Sequence, residues 1–389
     1  MTRLGIYVQV PFCQTKCTYC NFHTGVVSAG RFAPYVEAVC KEVCGHRALY
    51  RGAGVELPEG FEKAVADTVY FGGGTPSLLA PELLQRMMEA IQETFATELS
   101  EVTLEADPET VDEGKAAAWV RAGINRVSFG LQSFSDRELM AAGRMHRRAD
   151  IYRAVPILRD AGIRNISFDL IAGLAHQTKE SWKVSLEELG KLEPEHVSVY
   201  LLEVDEGSRL GKEILSGGGR YSAGAVPSDD LMADFYETAC EFLEAAGYHH
   251  YEISNWAKPG FESKHNLKYW RREAYLGFGA GAHSFSGAER WANAHDAAAY
   301  VGDITAGRLP VEQLERVTRE SALEEELFLG LRQLDGIDVG RIEREYGVAL
   351  GMRLNPLESA GLVHRNGDVV RLAPARLSIS NEVFVELMK

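Results

Sequence analysis

Ala122-Gly123-Ile124-Asn125-Arg126-Val127-Ser128-Phe129 returns nearly intact one unit later as Ala161-Gly162-Ile163-Arg164-Asn165-Ile166-Ser167-Phe168. In each copy Ala-Gly ends a helix, with glycine taking the left-handed conformation, and the β-branched run behind it starts a strand. Working outward from this pair, strand-like runs at 4–10, 68–71, 102–104, 126–129, 165–168 and 197–201 alternate with helix-period segments such as 32–50. Strands alternating with helices predict an α/β fold with a parallel sheet. A partial (β/α)6 TIM-like barrel accounts for six such units better than a doubly wound sheet does.

Barrels of this kind carry their chemistry at the C-terminal strand ends. Those ends read Gly72-Gly73-Gly74-Thr75-Pro76, Glu105-Ala106-Asp107-Pro108, Gln132 and Asp169. Any one of them could be an ordinary turn residue, but four share the face of the most specific motif in the chain. That motif is Cys13-Gln14-Thr15-Lys16-Cys17-Thr18-Tyr19-Cys20, directly after the first strand. Three soft thiolates from one loop suit an iron-sulfur cluster with one iron left open to a further ligand. Ordinary thiols and a structural zinc are the other readings; zinc is disfavoured because no second ligand pair follows downstream. Cys40, Cys44 and Cys240 read as reduced, buried thiols on helices.

The rest of the sequence sets bounds. At 389 residues, 46% hydrophobic and 25% charged, the chain has ample material for one large α/β domain and a smaller one. A net charge of −15 argues against a nucleic-acid partner. No apolar run predicts a membrane span, and the start of the chain predicts no signal peptide, so a cytoplasmic protein is expected. Residues 210–227 read as a Gly/Ser-rich surface loop. Glycines 277, 279 and 281 lack the strand-to-helix setting of a dinucleotide loop. The domains expected are a barrel over 1–227, a connecting segment over 228–315 that completes it, and a winged-helix-like α+β module over 316–389 suited to packing or partner docking rather than to DNA reading.

Three cysteines after the first barrel strand and a glycine-rich turn after the second resemble the radical S-adenosylmethionine (SAM) superfamily. The resemblance implies a [4Fe-4S] cluster on Cys13, Cys17 and Cys20, with SAM on the open iron. There the reduced cluster passes one electron to the sulfonium and a 5′-deoxyadenosyl radical results. On the residues themselves, Gly72 to Gly74 would let backbone approach the methionine end of SAM, and Thr75 would add a hydrogen bond. Tyr19, Phe12 and Phe22 would shield the cluster from water.

Within the superfamily the sequence is similar to the HemN-like, oxygen-independent coproporphyrinogen III oxidase group. That likeness implies that Tyr7, Tyr19, Gly73, Gly74, Thr75, Glu105, Gln132, Arg144 and Asp169 are SAM-pocket positions. Two features resemble its haem chaperone branch, HemW, instead of the decarboxylating enzymes. Phe22 stands where the enzymes carry a further cysteine, and His265-Asn266-Leu267-Lys268-Tyr269-Trp270 has the form H-N-x-x-Y-W. The branch implies haem at His265, Asn266, Tyr269 and Trp270, with His265 the first choice of iron ligand and His283 the second. It further implies respiratory haemoproteins as clients, a flavodoxin- or ferredoxin-type electron donor, a homodimer, and a peripheral place at the inner membrane face. The alternative is an enzyme, either a coproporphyrinogen III dehydrogenase or a radical methyltransferase.

Overall fold

The computed structural model describes residues 2 to 388. Six parallel strands run in chain order, β1 (Arg3–Val10), β2 (Val65–Gly73), β3 (Ala96–Ala106), β4 (Arg126–Gln132), β5 (Asn165–Ala172) and β6 (His196–Leu201). Each pairs with the next, as helical crossovers that return the chain to the same sheet end require. Gly123 and Gly162 hold φ of 91° and 105°, so both copies of the repeat end a helix in the left-handed conformation.

The sheet extends beyond the six expected strands. β7 (His249–Glu252) and β8 (Asn255–Ala257) add an antiparallel hairpin beside β6. On the other side β9 (Tyr275–Phe278) lies parallel to β1, followed by antiparallel β10 (His283–Phe285), β11 (Glu289–Asn293) and β12 (Val311–Arg316). The sheet is therefore twelve-stranded and open, in the order β12-β11-β10-β9-β1-β2-β3-β4-β5-β6-β8-β7. The glycine run at 277–281 has no helix directly behind it, in keeping with its reading as something other than a dinucleotide loop. Its first residues lie in β9, and a Cβ at Gly277 would come within 2.1 Å of the His283 carbonyl oxygen across the turn.

Alternation along the strands separates two surfaces. Leu4, Ile6, Val8 and Val10 of β1 are completely buried under the outer helices, while Tyr7 and Gln9 face the barrel interior, where the Tyr7 hydroxyl donates to Gln9 Oε1 at 2.7 Å. The same period sets Tyr70 against Tyr7, with ring centroids 5.9 Å apart. The outer face is thus a hydrocarbon core and the inner face is polar, an unusual distribution for a barrel packed only for stability.

A second sheet in the C-terminal module is antiparallel, with β13 (Ile337–Asp338), β14 (Val363–Asn366) and β15 (Val369–Leu372) in the order β13-β15-β14. Helices Arg319–Arg332, Val339–Tyr346, Gly351–Ser359 and Ser380–Leu387 surround it in the winged-helix-like arrangement. Residues 210–227, expected as loop, fold into a helix over Arg209–Leu215 and a short helical segment over Arg220–Ala225. Ser208 caps the first by accepting from Gly211 N, and Leu210 and Ala223 join a small satellite core. The thiols outside the cysteine loop are less buried than expected: Cys44 is exposed, and Cys40 and Cys240 are half-buried. Among the described residues no helix is long and apolar enough to cross a membrane.

Candidate functional site

The cysteine loop is pinned where β1 ends. Phe12 packs between Phe32 and Tyr35, with ring centroids at 4.8 and 4.9 Å. Cys13 N donates to the Gly25 carbonyl at 3.0 Å and Gly25 N to the Pro11 carbonyl at 2.9 Å, closing the loop on itself. Thr18 N reaches the Ala142 carbonyl at 3.0 Å, and Thr18 in turn accepts from Leu210 N at 2.8 Å. So held, Cys13, Cys17 and Cys20 line the mouth of one cavity of about 480 Å³, in the usual range for a small-molecule site.

None of the three is in a disulfide. Burial pushes the thiols of Cys13 and Cys20 up, so deprotonation here calls for a partner cation, as a metal centre provides. Among the described residues no three His, Cys, Asp or Glu side chains converge on the position of a single ion. The donor set fits a cluster. Of the three aromatics expected to shield it, Tyr19 and Phe22 line the cavity, with Phe22 65% exposed, while Phe12 is buried in the hydrophobic core.

The glycine run at the end of β2 meets protein before it meets any ligand. A Cβ on Gly73, whose φ is 106°, would fall 2.4 Å from the Gln9 amide, and one on Gly74 would lie 2.5 Å from the Phe12 carbonyl oxygen. These glycines are needed for the close approach of β1, the cysteine loop and β2, and they also leave Gly73 and Gly74 lining the cavity.

Beyond them the cavity walls are charged. Glu105 accepts from the Tyr70 hydroxyl and from Gly73 N, both at 2.9 Å. Burial pushes its carboxyl up to about 7 against those two hydrogen bonds. Asp169 accepts from Ser128 Oγ at 3.3 Å and is also raised by burial. Arg144 pairs with Asp107 and donates to the Gly130 carbonyl at 2.7 Å, with its other terminal nitrogen 3.5 Å from Cys17 Sγ. Asp107 in turn accepts from the Thr75 hydroxyl at 3.2 Å. Arginine, aspartate and threonine thus form one network reaching the central cysteine. Gln132 lines the same wall with a φ of 66°, in an irregular register between β4 and β5.

Of the nine expected SAM positions, eight line this cavity and Tyr7 does not; it lies behind Gln9 and Tyr70. Sequence reading marks Asp107 only as part of a strand end and passes over Tyr70, Arg126, Ser128, Ser198 and Tyr200, which also line it. Period-two alternation carried that signal: Arg126, Ser128, Gly130 and Gln132 follow one face of β4.

The helix Lys264–Trp270 closes the far end of the barrel. Glu101, midway along β3, accepts from Lys264 N at 2.9 Å and His265 N at 3.0 Å, an acid set on a helix N-terminus. His265 is fully buried. Its Nδ1 is 2.9 Å from Thr68 Oγ1 and its Nε2 is 2.8 Å from the Tyr269 hydroxyl. Burial with the charges of Lys268 and Arg126 brings its pKa down to about 3, so it is a neutral imidazole. Neither nitrogen is free, which departs from the open ligand expected of it. Asn266 does line the cavity, Tyr269 packs edge-on against Tyr275 at 4.6 Å, and Trp270 lies under the Arg332 guanidinium at 4.5 Å. His283 stands exposed on β10, away from this chamber.

Comparison with known proteins agrees with this architecture. Residues 7–189 match the radical SAM superfamily, and residues 317–375 match the HemN C-terminal domain. Among solved structures, coproporphyrinogen III oxidase (HemN) from Escherichia coli is similar over 99% of this chain and 90% of that one, with a TM-score of 0.84 at 22% identity, a likeness of fold. Heme chaperone HemW of Bacillus subtilis is 35% identical over 384 residues, 97% of each chain. Heme chaperone HemW of Lactococcus lactis is 31% identical over 98% of this chain and 96% of its own, and that of Escherichia coli 33% identical over 72% and 69%. With relatives of 31–35% identity that align with it almost from end to end, this protein belongs to the HemW family of the radical SAM superfamily.

Proposed function

We propose that this protein is a haem chaperone, holding a [4Fe-4S] cluster on Cys13, Cys17 and Cys20 and SAM beneath it, and delivering haem to respiratory haemoproteins from the cytoplasm. The observation that carries the reading is the continuity of one chamber, from the three-cysteine loop past the glycine-rich strand end to Asn266 of the His-Asn-x-x-Tyr-Trp helix. When bound, the cluster and SAM supply one-electron chemistry at the mouth. The chain's own part is to position and to exclude water. Gly73, Gly74, Thr75 and Gln132 shape the wall that SAM meets, while Glu105 and Asp169 offer acceptors to its hydroxyls or its cationic centre. Arg144, held by Asp107, brings a fixed positive charge to the cysteine loop. Tyr19 completes the pocket wall, and Tyr7 supports it from behind Gln9 and Tyr70.

At the far end His265, Asn266, Tyr269 and Trp270 form the proposed haem segment, with His265 exchanging its Tyr269 hydrogen bond for the iron. A flavodoxin- or ferredoxin-type donor supplies the electron in this reading. The division into a barrel over 1–227, a completing segment over 228–315 and a C-terminal module belongs to the same proposal.

Titration of anaerobically reconstituted protein with haem is expected to give a saturable Soret shift that His265→Ala reduces. Absence of saturation would end the chaperone reading, and an unaltered shift in the variant would remove His265 from it. The second reading, coproporphyrinogen III dehydrogenation, is favoured by the fold of HemN alone. Incubating the reduced protein with SAM and coproporphyrinogen III and finding vinyl-bearing porphyrinogen by mass spectrometry would establish it instead.

A further inference from the structure

Arg126 opens the repeated strand and stands deepest on the cavity-lining face of β4. Its side chain is only 2% exposed, yet it makes no hydrogen bond or ion pair with any other group among the described residues, and Nε is buried without an acceptor. The other arginines of the chamber are matched: Arg144 by Asp107, and Arg332 by Glu252 at 3.0 Å. Asp169, which feels the charge of Arg126, is bonded to Ser128 and forms no ion pair with it. A guanidinium keeps its charge and five donors in any surroundings, so burying one unmatched costs stability and contributes none. Besides Asp169, whose carboxylate stays on its serine bonds, the walls around it offer Tyr70, Ser198 and Asn266 on the same cavity.

We propose that Arg126 is the anchor for a ligand carboxylate at the floor of the chamber. Planar, bidentate recognition of a carboxylate is what a buried guanidinium does best. Both proposed ligands carry the group, SAM on its methionine end and haem on its propionates. Depth favours the propionate, because six residues of strand put Arg126 roughly 20 Å below Gln132 at the mouth. Assigning the carboxylate to haem rests on the chaperone reading; the anchor itself rests on the unmatched arginine.

The test uses the full-length, reconstituted protein with three probes: haemin, haemin dimethyl ester and SAM. Wild type is expected to bind haemin about tenfold more tightly than the ester. Arg126→Gln should lose that discrimination and bind both like the ester, and Arg126→Lys should fall between, with SAM affinity unchanged in each. A loss of SAM affinity with haemin unchanged would keep the anchor and assign it to the methionine carboxylate. A folded Arg126→Gln protein that binds haemin and SAM as wild type does would overturn the proposal. If the variant fails to fold, equal wild-type affinity for haemin and its ester overturns the haem assignment without it. Wild type that binds no haemin at all defeats the chaperone reading and leaves the SAM titration to decide on the anchor.

Discussion

The two ends of the barrel are built differently. At the mouth, the loop that carries the cysteines first closes on itself, through Cys13 to Gly25 and Gly25 to Pro11, and is then tied to the barrel by Thr18 with Ala142 and Leu210 and by Arg144 beside Cys17. At the floor, nearly every contact joins distant parts of the chain: Thr68 meets His265 across 197 positions, and Glu101 receives two amides from a helix more than 160 residues on. A loop that closes on itself before it is anchored can hold a preset cluster site, whereas a floor made by a late-arriving helix is a lid on the chamber that later sequence supplies. The difference teaches that the reactive end and the sealing end can be perturbed separately.

The largest effect expected is at the mouth. Cys17→Ser should abolish the brown colour and the stoichiometric iron of reconstituted protein while the melting temperature of the cluster-free chain stays close to wild type. Retention of a full cluster would refute the ligand assignment, and a collapse of the fold would refute the separation of the two ends. Next, Arg144→Leu leaves Asp107 buried without its partner, with side-chain exposures of 10% and 18% in the native pair. Loss of about 3 kcal/mol in denaturant unfolding is expected, against little change if the pair is only ornamental.

Glu105 sharpens the comparison because it sits between the ends. Burial raises its carboxyl from 4.5 to about 7, so the protonated form is favoured in the folded protein. The stability this contributes is full below the unfolded value and is lost as pH rises through about 7. Glu105→Gln should therefore gain on wild type by up to about 3 kcal/mol between about pH 5 and about pH 8, read from paired urea titrations. A difference independent of pH would show that Glu105 is ionised throughout. The smallest effect belongs to Phe22→Ala, expected to change unfolding by less than about 0.5 kcal/mol because the ring stands in solvent. A larger loss would mean that the ring covers part of the cysteine loop after all.

Much of the mouth was legible from residues alone. The spacing of Cys13, Cys17 and Cys20 and the polar strand ends at Glu105, Gln132 and Asp169 all lie on short stretches whose geometry is set within a few residues. Asp107 was visible as a strand end, but its role was not, since only the fold brings Arg144 and Thr75 to it. Phe22 lines the cavity beside the cysteines while most of its ring stays in solvent, a degree of exposure that only the tertiary structure sets. At the floor, the family resemblance makes His265 the first choice of haem ligand. The partners that engage both of its ring nitrogens include Thr68, which no local pattern connects to it.

The sequence by itself determined where helices stop, where the parallel strands begin and which loop could hold a cluster, because left-handed glycines, β-branched runs and cysteine spacing act over a turn or two of chain. Only the tertiary structure decided that β9 joins β1, that the Lys264–Trp270 helix plugs the barrel, and that Arg126 of the repeated strand is buried with nothing to hold. Burial and pairing of a polar group depend on what the whole chain places around it, and no window of sequence contains that.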